Sequence, residues 1–223
     1  MVIGRQDRLP ESAVLVLAPA GEIVEQRSES VLVNELFGEN LASETVLQDV
    51  IDALDLAGGD RRIKAVLVDT SKLKSAGLTK LQDIGAALKR FRRSGKPVVA
   101  AADFFTQSAY LLAAHSDRVY LNPMGGVLLK GFGVYQNYYK AAIDKLLVQI
   151  HVFRVGSYKS ALEPFMRRDM SEFDKEASSA LLDVLWDSYK GDVAEARGID
   201  AEIIDAYIDR FPERLAEHAG DAA

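Results

Sequence analysis

The chain has 223 residues, 48% of them apolar, a formal net charge of -6 at pH 7 and no cysteine. That is enough apolar material for a sizeable core, in one large α/β domain or one domain with an appendage. The absence of a basic surplus argues against nucleic acid as a partner, because phosphates would go unneutralised. The absence of cysteine excludes disulfides, thiolate zinc sites and a cysteine nucleophile.

The first stretch, "MVIGRQDRLPESAVLVLAPAGEIV", has a short apolar run interrupted by proline and reads neither as a signal peptide nor as a membrane span. Residues 1–12 are expected to be a flexible lead-in. Either the protein is cytosolic or an anchor ahead of Met1 has been removed. "AVLVLAP" (13–19) and "IKAVLVDTS" (63–71) are continuous valine-rich runs of the kind that form buried parallel strands. Between them Ser43 is the expected N-cap of a helix with Val46, Val50, Ile51 and Leu54 on one face, stopped by Gly58 and Gly59. In the following unit Leu81, Ile84, Leu88 and Phe91 form an apolar stripe, Gly95 closes the helix, and Pro97 opens the strand "PVVAAA". Strand, helix, strand, helix, strand implies right-handed crossovers in a mostly parallel sheet.

Further on, "QSAYLLAAHSD" is a short helix, "RVYLNP" a strand, and "MGGVLLKGFGV" a loop. "YQNYYKAAIDKLL" is helical by apolar spacing and "VQIHVFRVG" is a strand. Ser171 with Asp174 three residues later resembles a capping box before the long helix "EFDKEASSALLDVLWDSYKGDVAEARG". A last helical piece, "AEIIDAYIDRFPERLAEH", ends the pattern. No repeat and no low-complexity linker divides the chain, so the sequence reads as a single domain over 1–223, with 172–223 as a helical extension suited to assembly.

His115, His151 and His218 lie far apart without ligand spacing, so neither a metal nor another cofactor is expected. The glycines of "LNPMGGVLLKGFG" fit no phosphate-binding pattern. "KRFRRSG" puts cations at a helix end, where they offset the dipole and read as a solvated face. Tyr135, Tyr138 and Tyr139 read as a packing stripe.

Lys159 in "RVGSYKSALEPF" stands apart. It follows a strand-like run, its neighbours Ser157 and Ser160 are hydroxylic rather than acidic, and partial burial would favour the neutral form that a general base needs. Ser157 and Lys159 could also form a self-contained dyad, although their geometry in a loop is open.

The segment "HVFRVGSYKSALEPFMRRDMS", together with "AHSDRVYLNPMGGVLLKGFGV", "FRRSGKPVVA" and "LQDVIDALDLAGGDRRIKAVLVD", resembles the signal peptide peptidase A (protease IV) family in its long form of two fused halves. The likeness runs from about residue 13 to about residue 200. It implies a Clp protease/crotonase-like α/β spiral of ββα units. It also implies serine peptidase activity through a Ser/Lys dyad, with Lys159 as the base and Ser157 and Ser160 as possible supporting neighbours. In complete members a serine followed by two glycines opens the helix that ends in an Ala-Asp pair. Counting back ten from Asp117 gives Gln107, followed by Ser108 and Ala109, so the nucleophile position holds an amide that cannot attack a carbonyl. "DTSKLKSAG" keeps Asp69 and Gly77 without a glycine pair, so backbone oxyanion donors cannot be assumed there.

The resemblance therefore implies an N-terminal half that is inactive alone and supplies Lys159 to a serine in a C-terminal half beyond residue 223. The substrates would be cleaved signal peptides or other apolar peptides, the assembly a homo-oligomer, and the location the periplasmic side of the bacterial inner membrane through an anchor absent here. Three alternatives stay open: a non-catalytic scaffold, an autonomous hydrolase using Ser157 or Ser108 with Lys159, and, more weakly, an acyl-CoA enzyme.

Overall fold

The computed structural model describes residues 10–28, 43–153, 156 and 159–210. They group into two compact units: residues 1–130 with 189–223, and residues 131–188. The first unit runs β1 (Ala13–Leu17), β2 (Gly21–Val24), β3 (Glu44–Val46), α1 (Leu47–Gly59), β4 (Ile63–Val68), β5 (Leu73–Ala76), α2 (Leu78–Arg92), β6 (Val98–Thr106), α3 (Gln107–Ala114) and β7 (Arg118–Leu128). The second holds α4 (Lys140–Lys145) and α5 (Glu163–Met166). The division falls inside the long helix α6 (Glu172–Arg197), after which residues 202–210 are again helical.

The α/β expectation with mostly parallel strands and C-terminal helices holds. Every described ladder is parallel, in a four-stranded sheet of order β1-β4-β6-β7 and a three-stranded sheet of order β3-β2-β5. β1 and β4 enter the first sheet while β2 and β5, which follow them, enter the second. A helix then returns the chain each time, which is the ββα pattern.

The core follows from residue spacing. Val66 and Val68 alternate inward on β4, pair with Val98 and Ala100 of β6, and are all fully buried. The α2 stripe is buried as expected, with Leu81, Ile84, Leu88 and Phe91 each at most 2% exposed. Burial at this level is worth about 1.5–3 kcal/mol for each large apolar side chain. Gly95, with φ of 79°, ends the turn after α2 as its sequence position requires.

Four local expectations need correcting. Ser43 does not cap α1: residues Glu44–Val46 form β3, and the N-cap position is Val46, which makes no side-chain cap bond. Pairing with β2 draws the segment into the sheet, where the Thr45 hydroxyl donates to Ala20 O and accepts from Ala20 N, both at 2.9 Å. β7 runs on through the "MGGVL" read as a loop, because residues 126–128 pair with the second half of β6. "VQIHVF" forms no strand over residues 148–153, so its alternation finds no ladder among the described residues. Of "YQNYYKAAIDKLL" only Lys140–Lys145 is helical, and Tyr135 is 98% exposed, although Tyr139 does stack on Phe165 with ring centroids 6.0 Å apart.

The basic end of α2 is more than a solvated face. Lys89 pairs with Glu195, Arg90 with Asp55 at 2.9 Å, and Arg92 with Asp117 at 2.6 Å. Asp117 also accepts from the Val98 N–H at 2.8 Å, which ties the end of α2 to the start of β6. The capping box at α6 is divided differently from the sequence reading. Ser171 Oγ accepts from Asp174 N at 3.2 Å, but the Ser171 N–H is held at 3.0 Å by Glu163, a carboxylate only 3% exposed.

Beneath this network lies His115, packed on Gly85 so closely that a Cβ there would sit 2.4 Å from its Nε2. Nε2 is buried without a hydrogen-bond partner among the described residues. Lys89 and Arg92 face the ring from α2, and Asp192 and Glu195 from α6. Burial is the largest influence and lowers its pKa below the ordinary 6.5. A histidine kept neutral in the folded state stabilises fully above its unfolded pKa, and that stabilisation is lost as pH falls from 6.5 through the lower folded value. Urea midpoints are therefore expected to drop between about pH 7.5 and about pH 5.5, and His115→Gln should flatten that drop. An unchanged slope in the variant would count against it.

Candidate active site

The position matched to a nucleophile is built by β6 and α3. Thr106 ends β6 and serves as N-cap of α3, its side chain accepting from Ala109 N at 3.3 Å. Gln107 is thereby the first residue of the helix, half-buried, where backbone N–H groups point out of the helix end. Two further contacts fix it. Its Oε1 accepts the Lys130 N–H at 2.9 Å, just past the end of β7, and its carbonyl accepts the Tyr189 hydroxyl at 3.0 Å. Tyr189 is 1% exposed, and burial pushes its phenol well above the ordinary range, so it acts as a neutral donor.

No sequence signal pointed to Lys130 or Tyr189. They stand 23 and 82 residues from Gln107, and an ordinary helical tyrosine carries no mark of such a contact. The amide therefore holds the residue just past the end of β7. Replacing Gln107 by leucine should cost about 1 kcal/mol and speed hydrogen exchange at the Lys130 amide, while glutamate, which keeps an acceptor, should restore slow exchange. Equal exchange in all three proteins would show that the bond is idle.

The C-terminal end of β4, the middle of β6 and the first half of β7 frame an open cleft of about 600 Å³. Asp69, Ser71, Asp103 and Asn122 supply its polar groups, with Asn122 Nδ2 donating to Asp103 at 2.8 Å. The segment matched to an oxyanion loop begins here. Ser71 hydrogen-bonds Asp69 through its hydroxyl and through its N–H, the latter at 2.9 Å, and the two hold the Asp69 carboxyl below the usual range. Leu73 N donates to Thr70 O at 3.1 Å, so the Ser71 and Leu73 N–H groups are spent within the segment. Gly77 has an ordinary φ of -64°, and a Cβ there would meet nothing within 4 Å, so this glycine marks no close backbone approach.

Lys159 and Ser160 belong to the second unit, Gln107 to the first. The Lys159 side chain is exposed and Ser160 is half-buried. The Ser160 carbonyl accepts the Glu163 N–H at 2.8 Å and so leads the chain into α5. Gly156 has φ of 104°, a conformation that favours glycine, three residues before the lysine. Ser157 lies outside the described residues. No group of three or more His, Cys, Asp or Glu side chains suited to a metal ion occurs among the described residues.

The Peptidase family S49 model matches residues 90–219, a span that takes in both Gln107 and Lys159. The chain belongs to peptidase family S49. Among curated relatives, Protease 4 of Salmonella typhi is 36% identical over 100% of this chain and 37% of its own length. Protease 4 of Haemophilus influenzae is 37% identical over 88% of this chain and 32% of its own. The chloroplastic serine protease SPPA of Arabidopsis thaliana is 25% identical over 91% of this chain and 28% of its own. This S49 chain thus spans about a third of the length of the curated relatives it matches.

Solved structures similar to the S49 chain include an enoyl-CoA hydratase/isomerase family member with 13% identity and a TM-score of 0.34, covering 79% of this chain and 78% of that one. An enoyl-CoA hydratase from Shewanella pealeana has 14% identity and a TM-score of 0.30, with 77% of each chain covered. No described helix is long and apolar enough to cross a membrane.

Proposed function

We propose that this chain is the N-terminal half of a serine peptidase that degrades cleaved signal peptides and other apolar peptides. Lys159 is the general base, and the serine nucleophile is supplied from a C-terminal half of the same protein. Membership of family S49 over residues 90–219 carries the reading. Gln107 at the nucleophile-matched helix start supports it, because an amide nitrogen's lone pair is delocalised into its own carbonyl and does not attack a peptide carbonyl.

In this reading lysine removes the serine proton as the hydroxyl oxygen adds to the carbonyl, then returns it to the leaving amine. No histidine is required. The single glycine in residues 69–77 and the local engagement of the Ser71 and Leu73 N–H groups support a reading in which the other half supplies oxyanion donors as well. The intact protein would be a homo-oligomer held on the periplasmic side of the bacterial inner membrane. The test is Lys159→Ala in the full-length protein, which should abolish peptide hydrolysis with the fold intact.

The exposure of Lys159 favours a second reading, in which this half is a non-catalytic scaffold for assembly. In that case the same variant would hydrolyse peptides at the wild-type rate.

A further inference from the structure

The first unit contains a second concavity that the dyad does not use. A partly enclosed cavity of about 150 Å³ lies between the end of β7, the last turns of α6 and the helical residues 202–210. Leu129, Val193 and Ile204 line it and are buried, at 7%, 0% and 4% exposure. Ile199 and Ile203, one helical turn apart in number, line it while remaining 38% and 54% exposed. Two large aliphatic side chains left in solvent beside an apolar hollow are what an absent apolar group would cover.

The wall is mostly aliphatic, and one of its polar pairs is already engaged: the Tyr207 hydroxyl donates to the Val127 carbonyl at 2.5 Å, and both residues line the cavity. An apolar ligand gains burial there. Size narrows the choice further: a cavity of about 150 Å³ lined by leucine, isoleucine and phenylalanine stays dry and takes up benzene. The ring of phenylalanine, or the branched end of leucine, fits within that volume.

Position narrows it again. Tyr110, on the cavity wall, is three residues along α3 from Gln107, and Leu129 adjoins Lys130, whose N–H Gln107 holds. The hollow therefore borders the nucleophile-matched position of the inert half.

We propose that this cavity is a binding subsite for one apolar side chain of a peptide, of leucine or phenylalanine size, held without cleavage. The choice of a peptide rests on the peptidase reading above, whereas the choice of an apolar occupant of this size rests on the cavity alone. In a joined enzyme such a subsite would anchor an apolar peptide while another segment of it is cut.

The test is methyl NMR on the 223-residue chain, reading Leu129, Val193 and Ile204 during titration with toluene, N-acetylphenylalanine amide and N-acetylaspartate amide. Toluene and the phenylalanine amide should shift these methyls, and the aspartate amide should not. Ile203→Trp and Ile199→Trp, both at exposed rim positions, should each weaken binding at least tenfold with an unchanged circular dichroism spectrum, while Lys159→Ala should leave it unaltered.

Absence of shifts with toluene would overturn the cavity as a ligand site. Shifts with toluene alone, or equal shifts with the aspartate amide, would overturn the peptide side-chain assignment. Because binding is read without hydrolysis, failure of the dyad in the full-length protein leaves these results standing, and the reverse also holds.

Discussion

Lys159→Ala in the full-length protein is expected to lower peptide hydrolysis by about 10²- to 10⁴-fold, the range over which a positioned general acid–base group acts. The loss should fall on kcat rather than on KM, because in the proposed dyad the lysine moves a proton in the transition state and holds no part of the ground-state peptide. Since the Lys159 side chain is exposed in this chain, its truncation should shift unfolding by no more than about 0.5 kcal/mol. Steady-state kinetics and thermal melts on the same preparation separate the two effects. Full turnover in the variant would remove Lys159 from the mechanism, and a collapsed melt would reassign it to folding.

A large effect on stability is expected at Gly125→Ala. β6 and β7 pair through Val99–Ala102 with residues 118–121, then again through Phe104–Thr106 with residues 126–128. The register shifts between Ala102 and Phe104. Across that irregularity a Cβ at residue 125 would stand 1.7 Å from the Asp103 carbonyl oxygen and 2.9 Å from its carbon. Both are backbone atoms, so no side chain can turn aside to make room. The strands would have to part, and with them the second ladder segment that carries β7 to Lys130 and the Gln107 contact. A loss of about 3 kcal/mol or more follows if the ladder opens, the scale reserved for disrupted packing or backbone. Urea unfolding measures it, and slow exchange at the Lys130 amide should vanish in parallel. A variant within about 0.5 kcal/mol of wild type would show that the two strands adjust freely.

That glycine also shows where sequence reading stopped. β1, β4 and the α2 stripe were legible because their burial is written in adjacent or helically spaced apolar residues, and Leu81, Ile84, Leu88 and Phe91 all went where the spacing placed them. "MGGVL" was not, since glycines that permit close strand approach look the same as glycines of a loop. Ser43 failed for a related reason: a good capping residue was overridden by the pairing of Glu44–Val46 with β2, a partner about twenty residues away.

At the candidate site the residue types were legible and the contacts were not. Gln107 emerged only through the family resemblance, by a count along the chain matched to the family's pattern. Its bonds to Lys130 and Tyr189, and the hold of Glu163 on Ser171, depend on tertiary placement that no local spacing encodes. The same applies to the cavity at the end of β7, since the segment carrying Ile203 and Ile204 read simply as a last helical piece.

The most direct measurement is fluorophosphonate labelling of the full-length protein followed by peptide mapping. The account predicts a single labelled serine outside this chain, no label on Ser108, Ser157 or Ser160, and loss of labelling in Lys159→Ala. A label on any of those three serines, or undiminished labelling in the lysine variant, would contradict it.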